Sequence, residues 1–245
     1  MPRVAGEVDL SCAITTDHER GPGKSASPVP LASYISNTRG SFMSDQMTIT
    51  NQFGCVQNTI RLRSGRYFDF IDPKPEQFEL GDIAGALSKI CRFGGQCPQF
   101  YSVAEHSVHC AWQAFADSHP PDVCMAVLFH DAAEAFCGDV VKPLKIMLTE
   151  YSGIEDRVEK VIGDSLGIDF AAHSQIIREI DHAMLIAERR SIFSADGVAW
   201  FGENDVRRLN VGFHFWQPDM AEVHFLRTAE ELSGEYQWDV VRGRE

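Results

Sequence analysis

Apolar residues recur along this chain at two spacings. Between Ile60 and Phe70 they alternate with polar residues around Ser64-Gly65, which predicts a short hairpin or extended segment. From Asp82 onward the spacing is helical. Ile83, Leu87 and Ile90 predict a helix over residues 82–93, closed by Gly94-Gly95. Ser102, with Glu105 three residues later as a capping box, opens a helix over 103–116 that Pro120-Pro121 ends. The next helix starts at Pro121 or Asp122 and is expected to run unbroken to Phe136, before a stop at Gly138. Pro143 punctuates a short helix. Ile154, Val158, Val161 and Ile162 mark one face of another helix, which ends at Gly167. A long helix is predicted over 174–193, and Pro218 opens a last one through Leu232. Strand signals are few. The predicted fold class is therefore all-α, a helical bundle with one short extended or hairpin segment near residues 60–70.

Two stretches lack this periodicity. Residues 1–50 are rich in Ser, Thr, Pro and Gly, as in Gly21-Pro22-Gly23-Lys24-Ser25, and predict a flexible N-terminal tail ahead of a folded domain over 51–245. A start at Met43 or Met47 fits the same pattern. Residues 194–217 are loop-like but aromatic, with Trp200, Phe201, Phe213, Phe215 and Trp216. Such a loop serves as core or as a dimer contact, so it is compatible with a homodimer.

Composition narrows the function. With 245 residues, 44% of them hydrophobic and 23% charged, the chain can build one sizeable core. Its net charge of -13 argues against a nucleic-acid polymer as partner, which clustered Lys and Arg would be needed to hold. Small phosphorylated substrates stay open, because a bound metal ion reverses the local field. The seven Cys are scattered and form no C-x-x-C pair, as expected in a reducing compartment. No apolar run suited to a signal peptide follows Met1-Pro2-Arg3-Val4, and no apolar stretch is long enough to span a bilayer. A cytoplasmic protein without membrane contact is expected.

The candidate chemistry centres on His130-Asp131, which interrupts the apolar run Ala126-Val127-Leu128-Phe129. Burying two ionisable groups there is expensive unless something pairs with them, and a divalent metal is one solution. Adjacent His and Asp also occur as ordinary structural ion pairs, so the pair by itself says little. Its company says more. Glu134 follows His130 by one helical turn and would share its face. Gly138-Asp139 adds a carboxylate at the expected helix end. His106 lies on the preceding helix, and Asp181 sits among Ile180 and Ala183-Met184-Leu185-Ile186 on a later one.

This ordered set resembles the HD-domain phosphohydrolases, in particular the bacterial 5′-deoxynucleotidases and phage deoxynucleoside triphosphohydrolases. Ser102-Val103-Ala104-Glu105-His106-Ser107 is similar to their first metal-ligand motif. His130-Asp131-Ala132-Ala133-Glu134, Gly138-Asp139 and Pro143-Leu144-Lys145 resemble the second motif and its acids. Glu179-Ile180-Asp181 resembles the last ligand motif, with Ile where many relatives have Ala. Leu87-Ser88-Lys89-Ile90-Cys91-Arg92-Phe93 looks like the upstream helix that supplies a phosphate-binding Arg. The resemblance covers roughly residues 60–232. It implies an HD-domain bundle in which His106, His130, Asp131 and Asp181 ligate one divalent transition metal: manganese, cobalt, zinc or iron. It implies that Glu134 and Asp139 position water and exchange protons, and that Arg92 and Lys145 hold phosphate oxygens. Phe93 would pack near the sugar, where the deoxynucleotidases carry Trp.

The implied substrate is a small nucleotide cleaved at its 5′ phosphate ester. Either a monophosphate gives nucleoside and phosphate, or a triphosphate gives nucleoside and triphosphate. Two other readings differ in class. Hydrolases of guanosine tetraphosphate share His-Asp-x-x-Glu but carry a second acid directly afterwards, where this chain has Ala135. A non-catalytic metal- or nucleotide-binding HD module normally loses a ligand or an acid, and this chain keeps all six. His109, one turn after His106, is a further candidate ligand. Lys142 is an exposed basic residue near a helix end, and His182 points about 100° away from Asp181 and is expected to be structural.

Overall fold

The computed structural model describes residues 58–200 and 202–235. The tail expected over residues 1–50, and Phe201, lie outside the described residues.

The expected hairpin is present. β1 (Thr59–Arg61) pairs antiparallel with β2 (Tyr67–Asp69), with Thr59 opposite Asp69. Gly65 turns the chain at φ +91°, a conformation that L side chains rarely adopt. Alternation then sends Phe68 inward. It is fully buried and stacks on Phe136 at 4.0 Å between ring centroids. The hairpin is also tied to the first helix by Asp82, whose carboxylate accepts from the Ser64 N–H and hydroxyl, both at 2.8 Å.

The remaining regular structure is helical: α1 (Leu80–Leu87), α2 (Val103–Ala116), α3 (Pro121–Leu128), α4 (Glu134–Cys137), α5 (Lys142–Lys145), α6 (Tyr151–Leu166), α7 (Phe170–Ile192) and α8 (Pro218–Glu235). Helix α2 packs against α3, α7 and α8. Every residue from Val103 to Ala111 is buried. Any ionisable side chain on that stretch therefore needs a partner inside the protein. Phe129 and Phe225 meet edge to face at 5.2 Å and join the end of α3 to α8. Among the described residues, no helix is long and apolar enough to cross a membrane.

Several expectations are corrected. The helix foreseen from Pro121 to Phe136 is broken after Leu128, and His130-Asp131 lie in the turn between α3 and α4 rather than inside a helix. The His130 Nδ1–H donates to the Val127 carbonyl at 2.8 Å. That carbonyl would otherwise accept the fourth-residue bond of a continuing helix. The next amides bond three residues back instead, Ala132 to Phe129 and Glu134 to Asp131. His130 and Glu134 thus do not share a helical face.

The helix foreseen over 82–93 ends at Leu87, so Arg92 and Phe93 lie in the loop after it. There the Arg92 N–H bonds the Tyr101 carbonyl and the Val103 N–H bonds the Ile90 carbonyl. This short antiparallel bridge lays Arg92 beside the start of α2. Ser102 caps α2 by accepting from the Glu105 N–H at 3.1 Å, but the Glu105 carboxylate turns away to other partners, so the capping box is not reciprocal. Helix α7 begins four residues earlier than Ser174, because Asp169 caps it by accepting from the Ala172 N–H. Residues 194–217 carry no regular secondary structure among those described, as expected.

Candidate metal centre

Three elements bring the candidate ligands together. His106 comes from α2, Asp131 and His130 from the turn after α3, and Asp181 from α7. The Nε2 atoms of His106 and His130 lie 3.4 Å apart. Asp181 Oδ1 is 3.2 Å from the first and 3.8 Å from the second. Asp131 Oδ2 is 3.3 Å from His130 Nε2 and 3.7 Å from His106 Nε2. A tetrahedral ion with ligand bonds of roughly 2.1 Å holds its donors about 3.4 Å apart. The group His106, His130 and Asp181 can hold a metal ion, and Asp131 adjoins it.

The tautomers agree with that use. His130 Nδ1 is committed to the Val127 carbonyl, and His106 Nδ1 lies 2.5 Å from Glu188 Oε1. Donation from both Nδ1 atoms leaves both Nε2 lone pairs facing inward. Two imidazole lone pairs at 3.4 Å repel unless a cation or a proton stands between them. Burial opposes charging of His130, yet Asp131 and Asp181 hold its pKa well above the ordinary imidazole value. Burial likewise opposes ionisation of Asp131, but His130 draws its pKa down to about 2. The pocket is thus polarised for positive charge, which a divalent ion supplies as readily as protons do. Asp131 and Asp181 are half-buried, so the cluster opens on its carboxylate side.

The two further acids differ from the candidate ligands. Glu134, at the start of α4, is buried and its Oε2 has no hydrogen-bond partner. Burial, then Asp131 and Asp139, push its pKa up to about 9. Helix α4 is anchored from below by Phe136, which contacts Phe68 and Phe78. Asp139 follows Gly138, whose φ of +79° reverses the chain and whose carbonyl accepts from the Tyr151 hydroxyl at 2.9 Å. Burial raises Asp139 as well, against the pull of Arg92.

Arg92 is brought to the cluster. Its NH1 bonds Asp131 Oδ2 at 3.4 Å and its NH2 bonds Glu188 Oε2 at 3.2 Å, while its buried Nε–H is unpartnered. Phe93 stands next to it at φ +60°, a strained setting for a non-glycine residue. Its ring packs edge to face on Phe193 and near Trp200, with the Arg92 guanidinium 5.5 Å from its centroid.

Lys145 is paired with Glu155 at 2.5 Å and lies over the Tyr151 ring. His109 is not brought into the cluster. It stacks on His214 and Trp216, 3.4 Å from Glu105. His182 lies against Gly202, where an added Cβ would come within 2.6 Å of its ring.

Two buried residues of the cluster escaped sequence reasoning. Glu188 is fully buried and accepts from His106, Arg92 and the Tyr101 hydroxyl. Its one legible sign is its place seven residues after Asp181, which puts both on one face of a helix. Tyr101, fully buried beside the aromatic loop residues Phe213 and Phe215, carries no such sign.

Comparison with known proteins fixes the kinship. No protein-family model matches the chain. It is 36% identical over 141 residues to the uncharacterized protein YfdR of Escherichia coli, covering 58% of this chain and 76% of YfdR. It is 32% identical over 165 residues to the uncharacterized protein RCAP_rcc00048 of Rhodobacter capsulatus, covering 65% of this chain and 80% of that protein. The chain belongs to the family of these two proteins, and within it presents a helical fold with a His-His-Asp group able to hold a metal.

Proposed function

We propose that this chain is an HD-domain, metal-dependent phosphohydrolase that cleaves the 5′ phosphate ester of a small nucleotide, a deoxynucleotide foremost. The observation that carries the reading is the facing pair of Nε2 atoms, His106 and His130 at 3.4 Å, flanked by Asp181 and Asp131. These four residues would hold one divalent ion of manganese, cobalt, zinc or iron. Such an ion supplies Lewis acidity at a phosphoryl group and acidifies water.

The chain's own residues supply the rest. Glu134 keeps a proton near neutrality in the metal-free chain, because burial and Asp131 disfavour its charge. A proton at its unpartnered Oε2 suits donation to the departing 5′ oxygen. Asp139, more open, suits orienting the attacking water and taking its proton. Arg92 has two of its five N–H groups engaged, which fixes its plane and leaves others for phosphate oxygens. The ring of Phe93 offers an apolar wall for the sugar. Lys145, held by Glu155, adds positive charge near the acids rather than a free hand for phosphate.

The test is a panel of nucleoside 5′-mono- and triphosphates with manganese, cobalt or zinc, with phosphate, triphosphate and nucleoside resolved as products. Release from at least one nucleotide, abolished in His130→Ala, is expected. No release from any nucleotide with any of the three metals would count against hydrolysis and favour a binding module.

A further inference from the structure

We infer that Glu188 is the positioning residue of the metal centre, aiming two of its donors at once through His106 and Arg92. The inference rests on the metal-centre reading above. Glu188 is a carboxylate without solvent contact, in the last third of α7. A charge buried so deeply persists only with several donors around it. It has three, on residues 82 to 96 positions away in the chain.

The two carboxylate oxygens have separate tasks. Oε1 lies 2.5 Å from His106 Nδ1 and 2.9 Å from the Tyr101 hydroxyl. An ionised carboxylate only accepts, so Nδ1 carries the proton and Nε2 presents its lone pair to the ion. Oε2 accepts from Arg92 NH2, and NH1 of the same guanidinium reaches Asp131 Oδ2. Glu188 thus orients His106 directly and Asp131 through a rigid planar bridge. Helix α7 contributes Asp181 as donor and, two turns later, the group that sets two others.

A plain structural ion pair with Arg92 would make a different prediction. It would lower the stability of a Glu188 variant but leave metal affinity of the folded variant unchanged. In Glu188→Gln, the amide can donate to Nδ1 and move the ring proton onto Nε2. Zinc alone and manganese alone are titrated into the full chain and into Glu188→Gln and Glu188→Asp.

The expected result is about 10- to 100-fold weaker binding in Glu188→Gln, with part of the loss recovered in Glu188→Asp. Equal affinity in wild type and folded Glu188→Gln overturns the inference while leaving the metal centre standing. Failure of the wild-type chain to bind either ion overturns both. Should Glu188→Gln not fold, histidine 15N spectra of the zinc-loaded wild-type chain decide. A proton on Nδ1 of His106 is expected, and a proton on its Nε2 overturns the assignment.

Discussion

His106 and His130 present their Nε2 atoms to each other across 3.4 Å, each ring oriented through its Nδ1. The orienting partner differs, a buried carboxylate for one and a main-chain carbonyl for the other. In both cases the atom left facing inward is the one a metal would take. Asp131 sits against both rings. Asp131→Ala should abolish turnover and weaken metal binding while leaving the far-ultraviolet circular dichroism of the helices largely unchanged. Retained turnover would remove Asp131 from the ligand set.

Glu134 would move a proton rather than hold the ion. Glu134→Gln should therefore lower kcat by about 10²–10⁴-fold, with metal affinity close to wild type. Steady-state kinetics beside a metal titration separates the two roles. A variant that loses metal along with activity would make Glu134 a ligand.

Glu105 holds the aromatic loop to α2. Its Oε1 accepts from the His214 and Phe215 N–H groups, both at 2.8 Å, and its Oε2 accepts from the Trp216 N–H at 2.7 Å. Burial opposes its charge, but His109 and these three amides keep its pKa below the ordinary carboxylate value. Glu105→Gln keeps one acceptor oxygen and turns an amide NH2 toward the Trp216 N–H. The expected cost is about 1–3 kcal/mol, a fall in Tm of roughly 2–4 °C per kcal/mol for a chain of this size. An unchanged melting temperature would contradict this account of the loop.

Asp117, at the C-terminal end of α2, is bound by Arg207 through both carboxylate oxygens. Arg207 holds the Asp117 carboxyl below its ordinary range. A depressed acid contributes stability that is present above its unfolded pKa of about 3.9 and is lost as pH falls through the folded value. The pair is partly exposed, so the contribution is about 0.2–1 kcal/mol. Asp117→Asn should lower stability at neutral pH, with the deficit shrinking as pH falls below about 4, as read by denaturant unfolding across that window. A deficit that does not change with pH would contradict the ionic account.

Much of the architecture was legible because local signals agreed with each other. Ser102 and Pro120-Pro121 bound α2, Gly167 ends α6 with φ +68°, and alternation around Ser64-Gly65 marks the hairpin. His130 and Asp181 stand out as ionisable residues in apolar surroundings and His106 as the histidine on the preceding helix, and the fold brings the three together. The break after Leu128 was not legible. The run from Val123 to Phe129 is apolar and helix-compatible and Ala132-Ala133 continue it, but a side-chain bond from His130 to Val127 stops the helix.

Arg92 was expected on a helix because Leu87 and Ile90 keep the helical period. The bridge that pulls it into a loop pairs Arg92 with Tyr101 and Ile90 with Val103, residues separated by a turn of the chain rather than by one helical repeat. Glu188 is followed by Arg189 and Arg190, a charged run that gives no sign of burial. Its partners lie on the opposite side of the sequence and only the fold brings them within reach.

The most direct measurement of the central claim is restoration of activity in chelator-stripped protein. The stripped chain, supplied with a 5′-nucleotide that the wild type cleaves, should release no phosphate or triphosphate. One equivalent of manganese, cobalt or zinc should restore release in the wild type, and no amount should restore it in His130→Ala. Full activity after stripping, or equal restoration in His130→Ala, would contradict a metal centre built on His106, His130, Asp131 and Asp181.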